Sequence, residues 1–251
     1  MLPSYVTPIG EGPALIGFFN QLKQEFASAR WMLYEAMESE RPHFSDRGVK
    51  LLNTLDYPAY GLATEKAKIA FRMAYSLFDK MAFFINDYLQ LGIPEKSVYF
   101  RSLWYERITP EARTLRPQFQ NAENWPLRGL YWLARDFTED GFRDVMEPDA
   151  LALYEIRNHL EHKYLKLHDL LVPRETDAKH RDLFADRLAY SLGREEFEAK
   201  TLRLLKLARG ALIYLVLGMH AKEQRRDKGK EQELKAPMVL PTFEDRRKSR
   251  W

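Results

Sequence analysis

Four stretches of this chain repeat apolar residues every 3.6 positions over lengths that strands do not reach, and this period is the strongest constraint on its fold. The first runs from about Ala14 to Met37, with Phe18, Leu22, Phe26, Ala29 and Leu33 on one stripe. The second, about Thr64 to Leu91, opens at a residue suited to an N-cap and stops before Gly92 and Pro94. The third, about Pro148 to Leu171, starts at a proline fit for a first turn and ends before Pro173. The fourth spans about Glu195 to Gln224. Long amphipathic helices bury their apolar stripes against one another, so the expected fold is all-α, an antiparallel four-helix bundle. No alternating pattern strong enough to read as a strand accompanies them, and no repeat recurs at a solenoid period.

Two connections are too long for turns, about Glu38 to Ala63 and Gly92 to Glu147, and read as insertions. The second holds helix-like pieces at Ser97 to Arg107 and Trp125 to Phe137, rich in Trp, Tyr and Leu and expected to pack on the bundle. A further short helix is expected around His180 to Ser191. The domain plan is therefore an extended segment at 1–13, a helical domain at 14–221 with insertions at about 38–63 and 92–147, and a charged tail at 222–251. Within that tail, Lys222 to Lys235 reads as a fraying helix end or a disordered stretch, and Leu240, Phe243 and Trp251 could dock on a partner.

At 251 residues the chain can bury a sizeable core without disulfides or metal. It has no cysteine, which removes disulfides, thiolate catalysis and Cys-ligated zinc and suits a reducing, cytoplasmic compartment. Neither a leader pattern nor an apolar run long enough to span a bilayer is visible, Ala211 to Met219 falling far short of roughly 20 residues. From Lys222 to Trp251 ten Lys or Arg stand against six Asp or Glu, which leaves 29 against 30 for residues 1–221. The net charge of +3 thus belongs to the tail, which either stays solvated or collects phosphates.

Phosphate-loop, dinucleotide-fold, hydrolase-elbow and zincin motifs are all missing. What stands out is a helical segment carrying three of the six histidines, Glu155-Ile156-Arg157-Asn158-His159-Leu160-Glu161-His162-Lys163-Tyr164, followed by His168. On a helical wheel the apolar set Leu153, Ile156, Leu160, Tyr164, Leu167 and Leu171 defines the core side. Arg157 then lies about 60° from its centre, His159 about 100°, and Asn158 and His162 roughly 160°. An imidazole that titrates near neutrality can move a proton, and a planar guanidinium can hold a phosphate, so the pair suits phosphodiester cleavage. The same residues would also be ordinary choices for a solvated helix face. Asp79 and Asn86, seven apart on the second helix, share a face from which they could reach the motif. Glu25 and Arg30 on the first helix read as an ion pair or surface charges. Glu155, His159 and His162 are a carboxylate and two imidazoles without a fourth ligand, so no metal site is expected.

Arg157, Asn158, three residues and then His162 resemble the RX4-6H motif of HEPN ribonucleases, in the form with a polar residue after the Arg. The motif falls on the third long helix, and the wording of "FFNQLKQEFASARWMLYE" (18–35), "AYSLFDKMAFFINDYL" (74–89) and "RNHLEHKYLKLH" (157–168) resembles a bacterial HEPN branch in which the domain closes a longer chain. The resemblance covers most of residues 14–221 and implies a HEPN-like bundle in which two copies of the motif line a cleft in a homodimer. It further implies an endoribonuclease that needs neither metal nor cofactor. His162 would act as general acid or base, Arg157 would hold the phosphate, Asn158 would orient either, and His159, Asp79 and Asn86 would stand in support. RNA would be the substrate, a 2′,3′-cyclic phosphate the product, and the setting a bacterial defence or toxin–antitoxin system with an antitoxin or regulatory domain as partner. The alternatives are a non-catalytic HEPN module that binds nucleotides or docks proteins, and a helical scaffold with residues 97–137 as its interface.

Overall fold

The structure, a computed structural model, describes the chain except residues 1–4, 8–11, 109–112, 121–122, 139–149, 171, 173–174, 177–179, 182–185, 187, 230–237 and 243–251, together with the side chains at 108, 136–138, 150, 175–176, 180–181, 227 and 229. Among the described residues it is a helical protein with three two-stranded ribbons. Helix α1 (Ala14–Met37) occupies the expected range, and its buried Phe19, Leu22, Ala29, Leu33 and Ala36 face α2 (Leu62–Tyr88). Helices α3 (Pro117–Gln120) and α4 (Trp125–Thr138) lie in the second insertion, α5 (Ala150–His162) carries the motif, and α6 (Arg194–Gly229) is the longest. Helix α6 packs against α1, α2 and α4, whereas α5 touches α2 and α4. The insertion helix α4 therefore joins the bundle. Close approach of α4 to α6 depends on Gly129, where an added Cβ would stand 3.2 Å from the Tyr214 ring.

The start of α2 differs from expectation. Thr64 is not its cap but a buried residue of the first turn, where its hydroxyl accepts from Arg194 Nη2 at 3.3 Å. Gly61 is the N-cap, and Asp46, sixteen residues upstream of Leu62, accepts the Leu62 N–H at 2.9 Å. Asp46 also accepts the His43 N–H at 3.0 Å, so one carboxylate closes the 3₁₀ turn Phe44–Asp46 and caps α2. Gly61 sits at φ 141°, ψ 169°, a region open almost only to glycine, with Asp46 Oδ2 3.2 Å from the place of a Cβ. Gly61→Ala is expected to lower unfolding free energy by about 1–3 kcal/mol, read by urea denaturation. A variant as stable as wild type would show that the cap does not need this backbone.

Three expectations fail in the connections. The motif helix stops at His162 instead of continuing to Leu171, because Leu165–His168 leaves it as strand β3. This strand pairs in parallel with β6 (Tyr190–Gly193), Leu165 facing Tyr190 and His168 facing Gly193. Tyr164 and Leu167 thus do not belong to the wheel, and Leu171 lies outside the described residues. The piece at Ser97 to Arg107 is not helical: a 3₁₀ turn at Glu95–Ser97 leads to strand β1 (Tyr105–Ile108), paired antiparallel with β2 (Arg113–Leu115). Phe100, Trp104 and Tyr105 have gone into the core instead, while Tyr99 stays exposed; Trp104 is fully buried, donates its Nε1–H to Phe100 O at 2.8 Å and meets Phe119 and Tyr131. The short helix expected at His180 to Ser191 is replaced at its described ends by β5 (His180–Arg181), paired with β4 (Glu175–Thr176), and by β6. Along the tail, α6 runs on to Gly229, and residues 230–237 lie outside the described residues. No helix among the described residues is long and apolar enough to cross a membrane.

Candidate active site

Helix α5 buries Leu153, Ile156 and Leu160, the apolar positions that the wheel assigned to the core. That packing leaves Arg157, Asn158 and His159 half-buried and His162 exposed at the last helical position. Arg72 of α2 steadies this end by donating to the Leu160 carbonyl and lying 3.6 Å from Glu161.

The guanidinium of Arg157 joins the motif together. Its Nη1 donates to Asn158 Oδ1 at 3.1 Å and meets His162 Nε2 at 3.5 Å, where the ring nitrogen is the acceptor. Across the helix interface it stands 5.9 Å from the centroid of Tyr75, a cation over an aromatic face. Asp79, one turn further along α2, feels the same charge. Burial pushes the Asp79 carboxyl above its ordinary value, while the Phe100 N–H, donated at 3.0 Å, and the charges of Arg157 and Arg101 pull the other way without overcoming it. The structure therefore gathers Arg157, Asn158 and His162, with Tyr75 against the guanidinium and Asp79 within reach of its charge.

His159 and Asn86 are engaged elsewhere. The His159 ring stacks on Tyr190 with centroids 4.8 Å apart, and its Nδ1 donates to Glu155 O at 2.8 Å, the carbonyl one turn back. Tyr190 is itself pushed above its ordinary pKa by burial and by the nearby charges of Glu155 and Glu196. Asn86 pairs twice with Ile93, donating to its carbonyl at 2.9 Å and accepting its N–H at 3.1 Å, which folds the chain back after α2. On α1, Glu25 pairs with Lys80 at 2.6 Å, and Arg30 is exposed. Among the described residues no three His, Cys, Asp or Glu converge to hold a metal ion. Sequence reasoning missed Tyr75. Its only signal was a place four residues before Asp79 on the same face of α2.

Since Asp79 takes up its proton above the ordinary carboxylate value, its charged form weakens the fold: stability is fuller while it is protonated and falls as pH rises through the raised value. Asp79→Asn keeps an oxygen for the Phe100 N–H and removes the buried charge. Its melting temperature is expected to equal or exceed wild type at pH 7, with the difference closing as pH falls through the carboxylate range. A variant that is less stable at pH 7 would mean that the Asp79–Arg157 attraction outweighs burial.

A buried charge cluster lies immediately after the motif. Lys166 of β3 is buried and pairs with Asp56 at 2.6 Å and Asp186 at 3.0 Å. Asp56 also accepts from the Thr54 hydroxyl, and its carbonyl meets His168 Nδ1 at 3.0 Å. This cluster ties the first insertion to the strand that follows His162.

A model of the LA2681-like HEPN family matches residues 6–222, a span holding the whole motif together with α1, α2 and α5. No curated protein and no solved structure matches the chain. With its helical architecture and an Arg and a His converging on one helix end, the chain belongs to the LA2681-like HEPN family.

Proposed function

We propose that this HEPN domain cleaves RNA without a metal ion, using Arg157, Asn158 and His162. The observation that carries the reading is the 3.5 Å approach of the Arg157 guanidinium to the exposed His162 ring, with Asn158 fixing the fork. These donors are a permanent cation, an amide and a proton carrier, a set suited to phosphate and not to a divalent ion. A ribose 2′-oxygen attacks the adjacent phosphorus, the O2′–P bond forms, the P–O5′ bond breaks, and a 2′,3′-cyclic phosphate and a 5′-hydroxyl result. His162 takes the 2′-OH proton or delivers one to the leaving 5′-oxygen. The guanidinium nitrogens turned away from Asn158 stabilise charge on the non-bridging oxygens.

A lone exposed His162 holds nothing against itself. A homodimer that covers the motif face would bring two guanidiniums and two imidazoles to one phosphodiester, one ring as base and the other as acid. Two-fold association needs only one self-complementary patch, and a stable one buries on the order of 1,600 Å² in total. Sedimentation should show a dimer at micromolar concentration, with activity falling as dilution separates the copies; a monomer of undiminished activity would remove the shared cleft. The biological setting that fits is a toxin or effector whose activity a partner holds in check. Incubation with tRNA and mRNA in EDTA tests the chemistry: wild type should cleave and His162→Ala should not. Activity that vanishes in EDTA and returns with Mg²⁺ or Mn²⁺ would overturn the mechanism, and RNA left intact under every condition would favour a docking module.

A further inference from the structure

Just past His162 the chain presents aromatic surface that the bundle does not need. Tyr164 is 39% exposed and Tyr60, from the first insertion, is 46% exposed, yet their hydroxyls are bonded to each other at 3.1 Å across 104 residues of sequence. Burial and this bond push the Tyr60 phenol up to about 12. The pair is held from below. Ala59 N–H donates to Leu167 O at 2.6 Å, and the buried Lys166 ammonium lies 5.4 Å from the Tyr164 ring, on the side opposed to solvent by its burial. Two rings are therefore fixed in place, half in water, with little freedom left to lose when something stacks on them.

Their position along the chain gives the pair a use. His162, Lys163 and Tyr164 are consecutive and all exposed, a proton carrier, a cation and a ring in order. With Lys163 alone between them, the Cα atoms of His162 and Tyr164 are at most about 7 Å apart, comparable with one nucleotide step of an unstacked strand. Single-stranded RNA is gripped by this alternation, cations on phosphates and aromatic faces on bases.

We infer that Tyr60 and Tyr164 form a stacking subsite for the base of the nucleotide next to the phosphate at Arg157 and His162, with Lys163 on the intervening backbone. The inference rests on the RNA reading above. It makes single-stranded RNA the substrate class, since a base paired in a duplex offers no free face to the rings.

The test uses a fluorescein-labelled single-stranded oligoribonucleotide, 2′-O-methylated throughout so that it cannot be cleaved, titrated with full-length protein and followed by anisotropy. Tyr164→Ala and Tyr60→Ala are expected to weaken binding by roughly fivefold to a hundredfold, and Tyr164→Phe, which keeps the ring, by much less. Because truncation could disturb the fold, the same loss is sought from the ligand side: wild type is titrated with oligonucleotides abasic at one position in turn. One abasic position should weaken binding as Tyr164→Ala does, and the two losses should not add. Binding of Tyr164→Ala within twofold of wild type, or losses that simply add at every abasic position, would overturn the subsite while leaving ribonuclease activity standing. Tight, Tyr164-dependent binding with no cleavage of unmodified RNA would sink the catalytic reading and keep the subsite. Wild type that does not bind the oligonucleotide would overturn the subsite, and would end both readings if unmodified RNA is also left intact.

Discussion

His162→Ala should lower the rate of RNA cleavage by about a hundredfold to ten-thousandfold, the usual worth of a positioned general acid or base. The expectation follows from where the ring sits. Its contact is the Arg157 guanidinium at 3.5 Å, it ends its helix, and it is exposed, so removing it opens no cavity and strands no buried partner. Thermal unfolding should stay within about 0.5 kcal/mol of wild type, as for surface substitutions away from structural features. Loss of cleavage with stability intact separates a chemical role from a structural one. Arg157→Lys should lose most of the activity too, since an ammonium cannot hold Asn158 and a phosphate with one planar fork. A His162→Ala protein that matches wild type in rate would remove the ring from the mechanism.

The largest effect on stability is expected at Lys166. Its side chain is 2% exposed and that of Asp56 1%, so Lys166→Ala leaves a carboxylate in the interior with the Thr54 hydroxyl and without its cation. Breaking a buried pair on one side costs about 3–5 kcal/mol, a large share of the 5–15 kcal/mol that holds a typical domain together. For a chain of this length the melting temperature should fall on the order of 10 °C. Burial works against each charge, but the hydrogen bonds win: those from Lys166 and Thr54 hold Asp56 below its ordinary value, and those to Asp56 and Asp186 hold Lys166 above its own. Asp186 is held low by the Leu188 N–H and by Lys166. The signs set a window. The carboxylates contribute fully above their ordinary 3.8 and lose that contribution as pH falls through their depressed values; Lys166 contributes fully below its ordinary 10.5 and loses it as pH rises further. The gap between wild type and Lys166→Ala should thus be widest and flat across neutral pH and should shrink toward both extremes. A constant gap from strong acid to strong base would mean that packing, not charge, holds this corner.

That cluster also shows where sequence reading ran out. The bounds of α1 and the core face of α5 were legible because a 3.6-residue period is a local property, as Leu153, Ile156 and Leu160 demonstrate by their burial. The strand Leu165–His168 was not legible, since Leu160, Tyr164, Leu167 and Leu171 keep a helical spacing straight through it. Leu165-Lys166-Leu167-His168 does alternate apolar and polar residues, but only over four positions inside a helical spacing, and all four are buried, so the polar ones mark no solvent face. Its conformation is decided by partners more than twenty residues away: the β6 backbone, Asp56 and Ser191, which meets His168 Nε2 at 3.3 Å. The cap of α2 failed for the same reason, Asp46 reaching it from sixteen residues upstream. At the site, Arg157, Asn158 and His162 were readable as a family pattern on one helix, although the wheel set Arg157 well apart from the other two. Tyr75 and the Tyr60–Tyr164 pair were not, because the first depends on how α2 packs on α5 and the second on the path of a long insertion.

If the guanidinium and the imidazole at the end of α5 carry out transesterification on RNA, the product ends record that chemistry directly. Purified protein and single-stranded RNA, incubated in EDTA, should give new fragments whose masses show a 2′,3′-cyclic phosphate on one side and a 5′-hydroxyl on the other, and His162→Ala should give none. Fragments with a 3′-hydroxyl and a 5′-phosphate, formed only when Mg²⁺ or Mn²⁺ is present and equally by His162→Ala, would contradict it.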